Sequence, residues 1–130
     1  GKLDITMMPT GIGADSKSFT TGEALSAGDL VYINASGEAL KADANDVAKA
    51  AVGFVLSSAS GGASATVYFE GSITGLSGLT RGSKYFLSAS AAGGVSTTVP
   101  SGAGDIVQYI GVATSTTEMT FEPQTPMVRA

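Results

Sequence analysis

The 130-residue chain contains no cysteine, histidine or tryptophan, and only 14% of its residues are charged. The absence of cysteine excludes disulfides, so stability must come from packing or from assembly with other chains. Without histidine and cysteine, the Ser-His and Cys-His nucleophile systems and the thiolate or imidazole metal sites are excluded as well. We therefore expect a protein that is not an enzyme and that uses no metal or cofactor.

Basic residues are also scarce. Seven Lys and Arg residues stand against eleven Asp and Glu, which gives a net charge of −4. Binding to nucleic acid requires clustered basic residues that neutralise phosphates, so no nucleic-acid partner is expected. No apolar run approaches the roughly 18 residues that span a bilayer, and the first residues lack a basic segment followed by an apolar one. We expect neither a membrane partner nor a signal peptide.

Apolar residues make up 43% of the chain, and they arrive in short clusters. Gly- and Ser-rich turns separate these clusters at intervals of about 8–12 residues, which is typical of all-β sandwiches and barrels. The sequence thus predicts a compact all-β fold of short antiparallel strands, either a sandwich or a barrel. So large an apolar fraction also suggests that some apolar surface serves a partner.

Three short phrases occur twice, in the same order. Residues 25–33 are echoed by residues 79–87, residues 52–55 by 110–113, and residues 67–70 by 119–122. Ordered echoes of this kind predict two degenerate copies of one β unit, here residues 22–73 and 76–123.

Several elements can be predicted individually. Leu30–Ile33 is apolar at every position, which predicts a strand covered on both faces. Residues 41–51 are Ala-rich and should form a loop with at most one or two helical turns. Residues 95–99 should form a Thr-rich strand, and residues 106–113 should form the longest strand in the chain.

The two ends of the chain are interpreted as arms around a β domain at residues 20–123. Residues 1–19 and 124–130 carry apolar side chains in segments that are interrupted by proline and glycine. We expect these arms to contact a partner, and their removal to lower binding while leaving the body folded. The proposed contact residues are Leu3, Ile5, Met7, Met8, Ile12, Pro126, Met127 and Val128.

Carboxylates are the remaining source of chemistry. Asp43, Asn45 and Asp46 are spaced somewhat like a calcium loop, but the glycine and the distant bidentate glutamate of such loops are missing. Glu70 and Glu122 lie at the ends of equivalent predicted strands and are a pair of carboxylates, as in glycosidases. Those enzymes hold the pair in a deep cleft, usually with aromatic side chains that stack on sugars, and a small chain without tryptophan is a poor match. A solvated turn and two exposed strand ends are therefore expected.

A sugar-binding module is a further possibility from composition. Four tyrosines could stack on sugars, but all lie inside apolar strand runs, where packing in the core is the commoner role. They are Tyr32, Tyr68, Tyr85 and Tyr109.

Two sets of motifs resemble phage proteins. Leu25-Ser-Ala-Gly-Asp-Leu-Val-Tyr-Ile33, followed by residues 37–43, 51–55 and 70–71, resembles small β-domains of tailed-phage virions, including capsid-decorating and head-fibre proteins. Residues 78–113, with Tyr85-Phe86-Leu87 and Thr97-Thr98-Val99-Pro100-Ser101-Gly102, are similar to a β-module of phage tail fibres and head proteins.

This resemblance implies a structural protein of the virion, located on the capsid exterior and present in the host cytoplasm during assembly. The implied partners are the major capsid protein and two further copies of the chain, as a homotrimer. The chain lacks the long stalk common in fibres, which favours a compact decoration (cement) protein that stabilises the capsid. The alternative is a tail-fibre or baseplate module that contributes to the binding of host-surface glycans.

Overall fold

The computed structural model describes residues 15–130, and within this range the chain is all-β, as the sequence predicts. Its one short helix is a 3-10 turn at Val47–Lys49, begun by the Asp46 carboxylate, which accepts a hydrogen bond from the Ala48 N–H at 2.9 Å. The strands of the described range are β1 Ser16–Thr21, β2 Leu30–Ile33, β3 Glu38–Lys41, β4 Gly53–Phe54, β5 Ser64–Tyr68, β6 Gly71–Ile73, β7 Lys84–Leu87, β8 Val95–Ser96, β9 Ile106–Val107, β10 Tyr109–Val112, β11 Met119–Phe121 and β12 Met127–Val128.

The first half, residues 15–70, forms a closed barrel in the order β1-β3-β2-β4-β5. All neighbours are antiparallel except β1 and β3, where Thr20 lies opposite Glu38 in a parallel pair. The prediction of antiparallel strands is wrong for this pair. An odd number of strands cannot alternate in direction around a closed ring, so one parallel pair is unavoidable.

The second half, residues 71–130, contains three small antiparallel sheets. Strand β7 lies between β8 and β10, while β6 pairs with β11 and β9 pairs with β12. Strand β6 is short because the chain turns at Gly75, which has a φ of +81°. In the first half, β1 continues to Thr21 and pairs with β3 there, which closes the barrel. The second half lacks an equivalent pair and is not closed.

Strand pairing in the two halves follows one plan. Strand β2 pairs with β3 and β4 as β7 pairs with β8 and β10, and β1 pairs with β5 as β6 pairs with β11. The registers correspond as well, with Leu30 opposite Phe54 in the first half and Lys84 opposite Val112 in the second. This common plan supports two copies of one β unit. By its pairing, β6 is the counterpart of β1 and opens the second unit, although the sequence assigned residues 71–73 to the first.

A glycine is required at one equivalent position in each half. A Cβ on Gly53 would lie 2.8 Å from the Tyr68 carbonyl oxygen, and a Cβ on Gly111 would overlap the Thr120 carbonyl oxygen. In the first half β4 crosses β5, and in the second half β10 crosses β11, each so closely that no side chain fits at the glycine. This crossing explains why a Gly recurs within the second repeated phrase.

The two halves share one core. Phe54 of the barrel packs against Phe121 of the second half, with ring centroids 5.0 Å apart, and stacks on Tyr68 at 5.7 Å. The same cluster includes Leu30 and Ile110, both fully buried. Residues 15–130 therefore pack as one body, since neither half encloses this cluster alone.

A buried glutamine joins the halves and anchors the end of the chain. The Gln108 Oε1 accepts from the Ala51 N–H at 2.8 Å, and its Nε2 donates to the Ala51 carbonyl at 2.9 Å. The Nε2 also donates to the Gln124 carbonyl at 3.3 Å. The sequence predicted one strand over residues 106–113, but the structure divides it into β9 and β10 at Gln108. The break arises because a polar residue in the core turns towards these main-chain partners.

Other predicted boundaries also change. Residues 16–19 were assigned to the N-terminal arm, but they belong to β1. The predicted strand at 95–99 ends at Ser96, because the Thr98 N–H turns back to the Ser96 hydroxyl at 3.0 Å. Part of the C-terminal arm, Met127–Val128, is strand β12. Residues 41–51 form a loop with one 3-10 turn, as predicted.

Candidate interaction surface

The C-terminal segment is fixed to the body by its backbone. Arg129 N–H donates to the Asp105 carbonyl at 2.7 Å, and Gly104 N–H donates to the Arg129 carbonyl at 3.0 Å. Strand β12 therefore lies beside β9, with Val128 opposite Ile106 and Met127 opposite Val107. Removal of residues 124–130 would delete strand β12 and one partner of Gln108. That the body stays folded without them is still a prediction.

Large apolar side chains are exposed on this segment. Met127 is 71% exposed and Val128 is 57% exposed, the highest values among the large hydrophobic residues of the described range. Together with Val99 and Val107 they line a shallow depression of about 420 Å³, bounded by Arg129 and Ala130. We call Val99, Val107, Met127 and Val128 the C-terminal patch. Exposure of this kind is characteristic of a surface that another molecule covers.

A hydroxyl-lined hollow of about 280 Å³ adjoins the patch and shares Val99 with it. The polar side chains that line it are Ser88, Ser90, Ser96, Thr98, Ser101 and Asp105. The Ser88 hydroxyl is occupied locally, because it accepts hydrogen bonds from the Ser90 and Ala91 N–H groups.

A second apolar surface lies where the described chain begins. The Phe19 and Phe69 rings meet edge to face at 6.2 Å, and the Lys17 ammonium lies 5.7 Å from the Phe19 centroid. Phe69 is 36% exposed, and Val52 is 44% exposed. The Phe69 N–H donates to the Asp15 carbonyl at 2.8 Å, so the described chain begins beside these rings.

Two carboxyl groups have perturbed acidity. A hydrogen bond with the Asp15 side chain, together with the charge of Asp15, raises the pKa of Glu70. Burial raises the pKa of Asp29, against the opposing effects of its hydrogen bond from Ser26 N–H and of the nearby Lys41 charge. Both groups are therefore protonated more readily than ordinary carboxyls.

The acidic residues singled out in the sequence have local roles. Asp43 accepts from the Asn45 N–H at 3.0 Å, and Asp46 caps the 3-10 turn. Glu122 accepts from the Thr120 hydroxyl at 3.3 Å. Within residues 15–130, no group of three or more His, Cys, Asp or Glu side chains is arranged to hold a metal ion.

The predicted contact residues fall into two groups. Leu3, Ile5, Met7, Met8 and Ile12 lie outside the described residues. Met127 and Val128 lie in the C-terminal patch, and Pro126 is half-buried beside them. Their contact with a partner stays a prediction.

Sequence reasoning missed the other members of these surfaces. Val99 was predicted in a strand over residues 95–99, whereas it is half-buried beside the hollow, outside any strand. Phe69 lies just after β5 and is 36% exposed. Val107 carried a usable signal, because it follows Ile106 in an apolar run and neighbouring residues of a strand point to opposite faces.

No helix in the part of the chain that the structure describes is long and apolar enough to cross a membrane. No protein-family model matches the sequence, and a search of curated proteins gives no match.

Proposed function

We propose that this protein is a non-enzymatic structural component of a tailed-phage virion that decorates the outside of the capsid and stabilises it. The observation that carries the proposal is the placement of exposed apolar side chains at both ends of the chain. The C-terminal patch lies at one end, and the Phe19–Phe69 surface lies where the described chain begins. The body between them is a β core with few charges.

Such a layout suits attachment across the joints of a shell. Two apolar surfaces that share no residue allow one small body to contact different neighbouring subunits of a shell. The partners proposed are the major capsid protein and two further copies of the chain, in a homotrimer. A ring of identical contacts leaves no subunit with an uncovered surface. Light scattering of the free protein at micromolar concentration should therefore give the mass of three chains.

Reconstitution on bare heads tests the proposal. Purified protein is added to capsids of the encoding phage that lack it, and saturation and the temperature of genome release are measured. We expect saturable binding and a higher release temperature. Deletion of residues 1–10 should weaken binding at least about tenfold, which corresponds to about 1.4 kcal/mol.

Val47→Ser is the matched control, because Val47 is 52% exposed but lies on the 3-10 turn, outside both surfaces. It should bind like the wild type. Heads that gain neither bound protein nor thermal stability would contradict the proposal.

The hydroxyl-lined hollow supports a second candidate, a tail-fibre or baseplate module that binds host glycans. Hydroxyl and carboxylate groups around a hollow of about 280 Å³ can hydrogen-bond a sugar, although no aromatic ring lines it. Saturable binding of a host-surface glycan that is abolished by Asp105→Ala would support this alternative.

A further inference from the structure

The segment that follows β11, residues 123–130, is attached to the body mainly through its main chain. Pro123 and Pro126 are half-buried, and the other residues of the segment are exposed. Apart from its pairing with β9, its attachments include the hydrogen bonds from Gln124 N–H to the Tyr109 carbonyl at 3.0 Å and from Arg129 N–H to Asp105. The segment therefore gains little from apolar burial, which is the dominant source of stability in the core.

The residues immediately before this segment are held much more firmly. Met119 and Phe121 of β11 are 0% and 3% exposed, and the Glu122 N–H donates to the Ile110 carbonyl at 2.6 Å. Pro123 comes next and has no N–H with which to continue this pairing. The boundary between the firmly packed body and the weakly attached segment therefore lies between Glu122 and Pro123.

Detachment of the segment would cost the body little. Gly104 is exposed, and Asp105 and Tyr109 are half-buried, so water can replace the hydrogen bonds that these residues lose. Gln108 is buried, but it would lose only its 3.3 Å hydrogen bond to the Gln124 carbonyl and would keep its two shorter hydrogen bonds within the body. Opening therefore does not strand the Gln108 side chain without a partner.

We propose that residues 123–130 form a strap that opens from the body and closes on it as one unit while the body stays folded. Segments with few buried apolar contacts and solvent-accessible hydrogen bonds open at low free energy. The C-terminal patch combines Val99 and Val107 of the body with Met127 and Val128 of the strap. The complete patch therefore exists only in the closed state, so the strap controls it. This opening takes place in the free protein and requires no capsid.

Hydrogen exchange of the free protein, followed residue by residue in urea below the unfolding transition, tests the opening. Relative to their rates in an unfolded chain, the Gln124 and Arg129 N–H groups should exchange at least about 100-fold faster than the Glu122 N–H. Their exchange should depend little on urea, because a small opening exposes little surface. Equal protection and equal urea dependence at these three positions would show that the segment opens only when the body unfolds, and would overturn the proposal.

A proline at position 129 tests whether the strap opens as one unit. Arg129→Pro removes the N–H that donates to Asp105, so exchange of the distant Gln124 N–H should become about fivefold faster. Exchange of the Glu122 N–H should not change. Arg129→Ala is the matched control, because it removes the same side chain but keeps the N–H, and it should exchange like the wild type. Unchanged exchange at Gln124 in Arg129→Pro would contradict opening as one unit.

A reversible cross-link provides an independent test. Val107 and Met127 lie opposite each other on β9 and β12, and opposite residues of antiparallel strands have Cα atoms about 4.5–5.5 Å apart, within the range for a disulfide. The natural chain has no cysteine, so the pair in Val107→Cys/Met127→Cys is unique. Oxidation should slow exchange of the Arg129 N–H at least tenfold, and reduction of the same protein should restore it. Equal exchange in the oxidised and reduced forms would refute release of the strap.

Discussion

Replacement of Gln108 by methionine should destabilise the fold while preserving the volume of the side chain. The wild-type side chain is 2% exposed and satisfies both the N–H and the carbonyl of Ala51, which is itself 4% exposed. Methionine fills the same space but offers neither donor nor comparable acceptor. Two buried main-chain groups lose their partners, at about 1–3 kcal/mol each, so the free energy of unfolding should fall by about 2–6 kcal/mol.

Urea denaturation at fixed protein concentration measures this loss. With a slope of about 2 kcal/mol per molar urea, the midpoint should fall by about 1–3 M. Gln124→Met is the matched control, because its side chain is exposed and its main-chain carbonyl remains available to Gln108. That variant should change stability by less than about 0.5 kcal/mol. If Gln108→Met had the wild-type midpoint and slope, the hydrogen bonds between Gln108 and Ala51 would contribute nothing to the free energy of unfolding. That result would refute this prediction.

Three further predictions concern packing, acidity and attachment. Gly111→Ala should destabilise the protein by about 1–3 kcal/mol in the same urea assay, because its Cβ would overlap the Thr120 carbonyl, whereas Gly61→Ala has ordinary space and should be nearly neutral. Burial raises the pKa of Asp29 above its ordinary value of 3.8, so the folded state binds this proton more tightly than the unfolded state. The free energy of unfolding should therefore decrease as the pH rises from 3.8 through the pKa of the folded state. Urea midpoints should fall less over this window for Asp29→Asn than for the wild type, and equal pH dependence would contradict the assignment. Binding to capsids should change by less than about threefold between pH 6 and 8, since the chain has no histidine, and a steep loss between about 50 and 500 mM salt would show that charge dominates the contact.

Local patterns predicted the strands that have strong apolar runs. Leu30–Ile33 forms a strand with the predicted bounds, because its apolar run follows a turn at Gly28, a glycine with positive φ. The echo of residues 52–55 in 110–113 had a physical basis in the close crossings at Gly53 and Gly111. Such features are encoded within a few residues and can be read directly from a sequence.

Long-range contacts decided what the sequence could not predict. Nothing in the local pattern of Ser16–Thr21 indicates a strand, since its identity depends on β5 and on the closure of the barrel against β3. Gln108 lies within an apolar run, and only its approach to Ala51, 57 positions away, reveals a break. The exposure of Met127 and Val128 likewise depends on pairing with β9, although their apolar character had already marked them as contact residues.

The location of the protein in purified virions decides whether it decorates the head. Virions labelled with an antibody against this chain, or reconstructed by electron cryomicroscopy, would show where its copies lie and how they group. We predict many copies spread over the outer surface of the head, in groups of three. A few copies confined to the tail tip would contradict it and support the glycan-binding alternative.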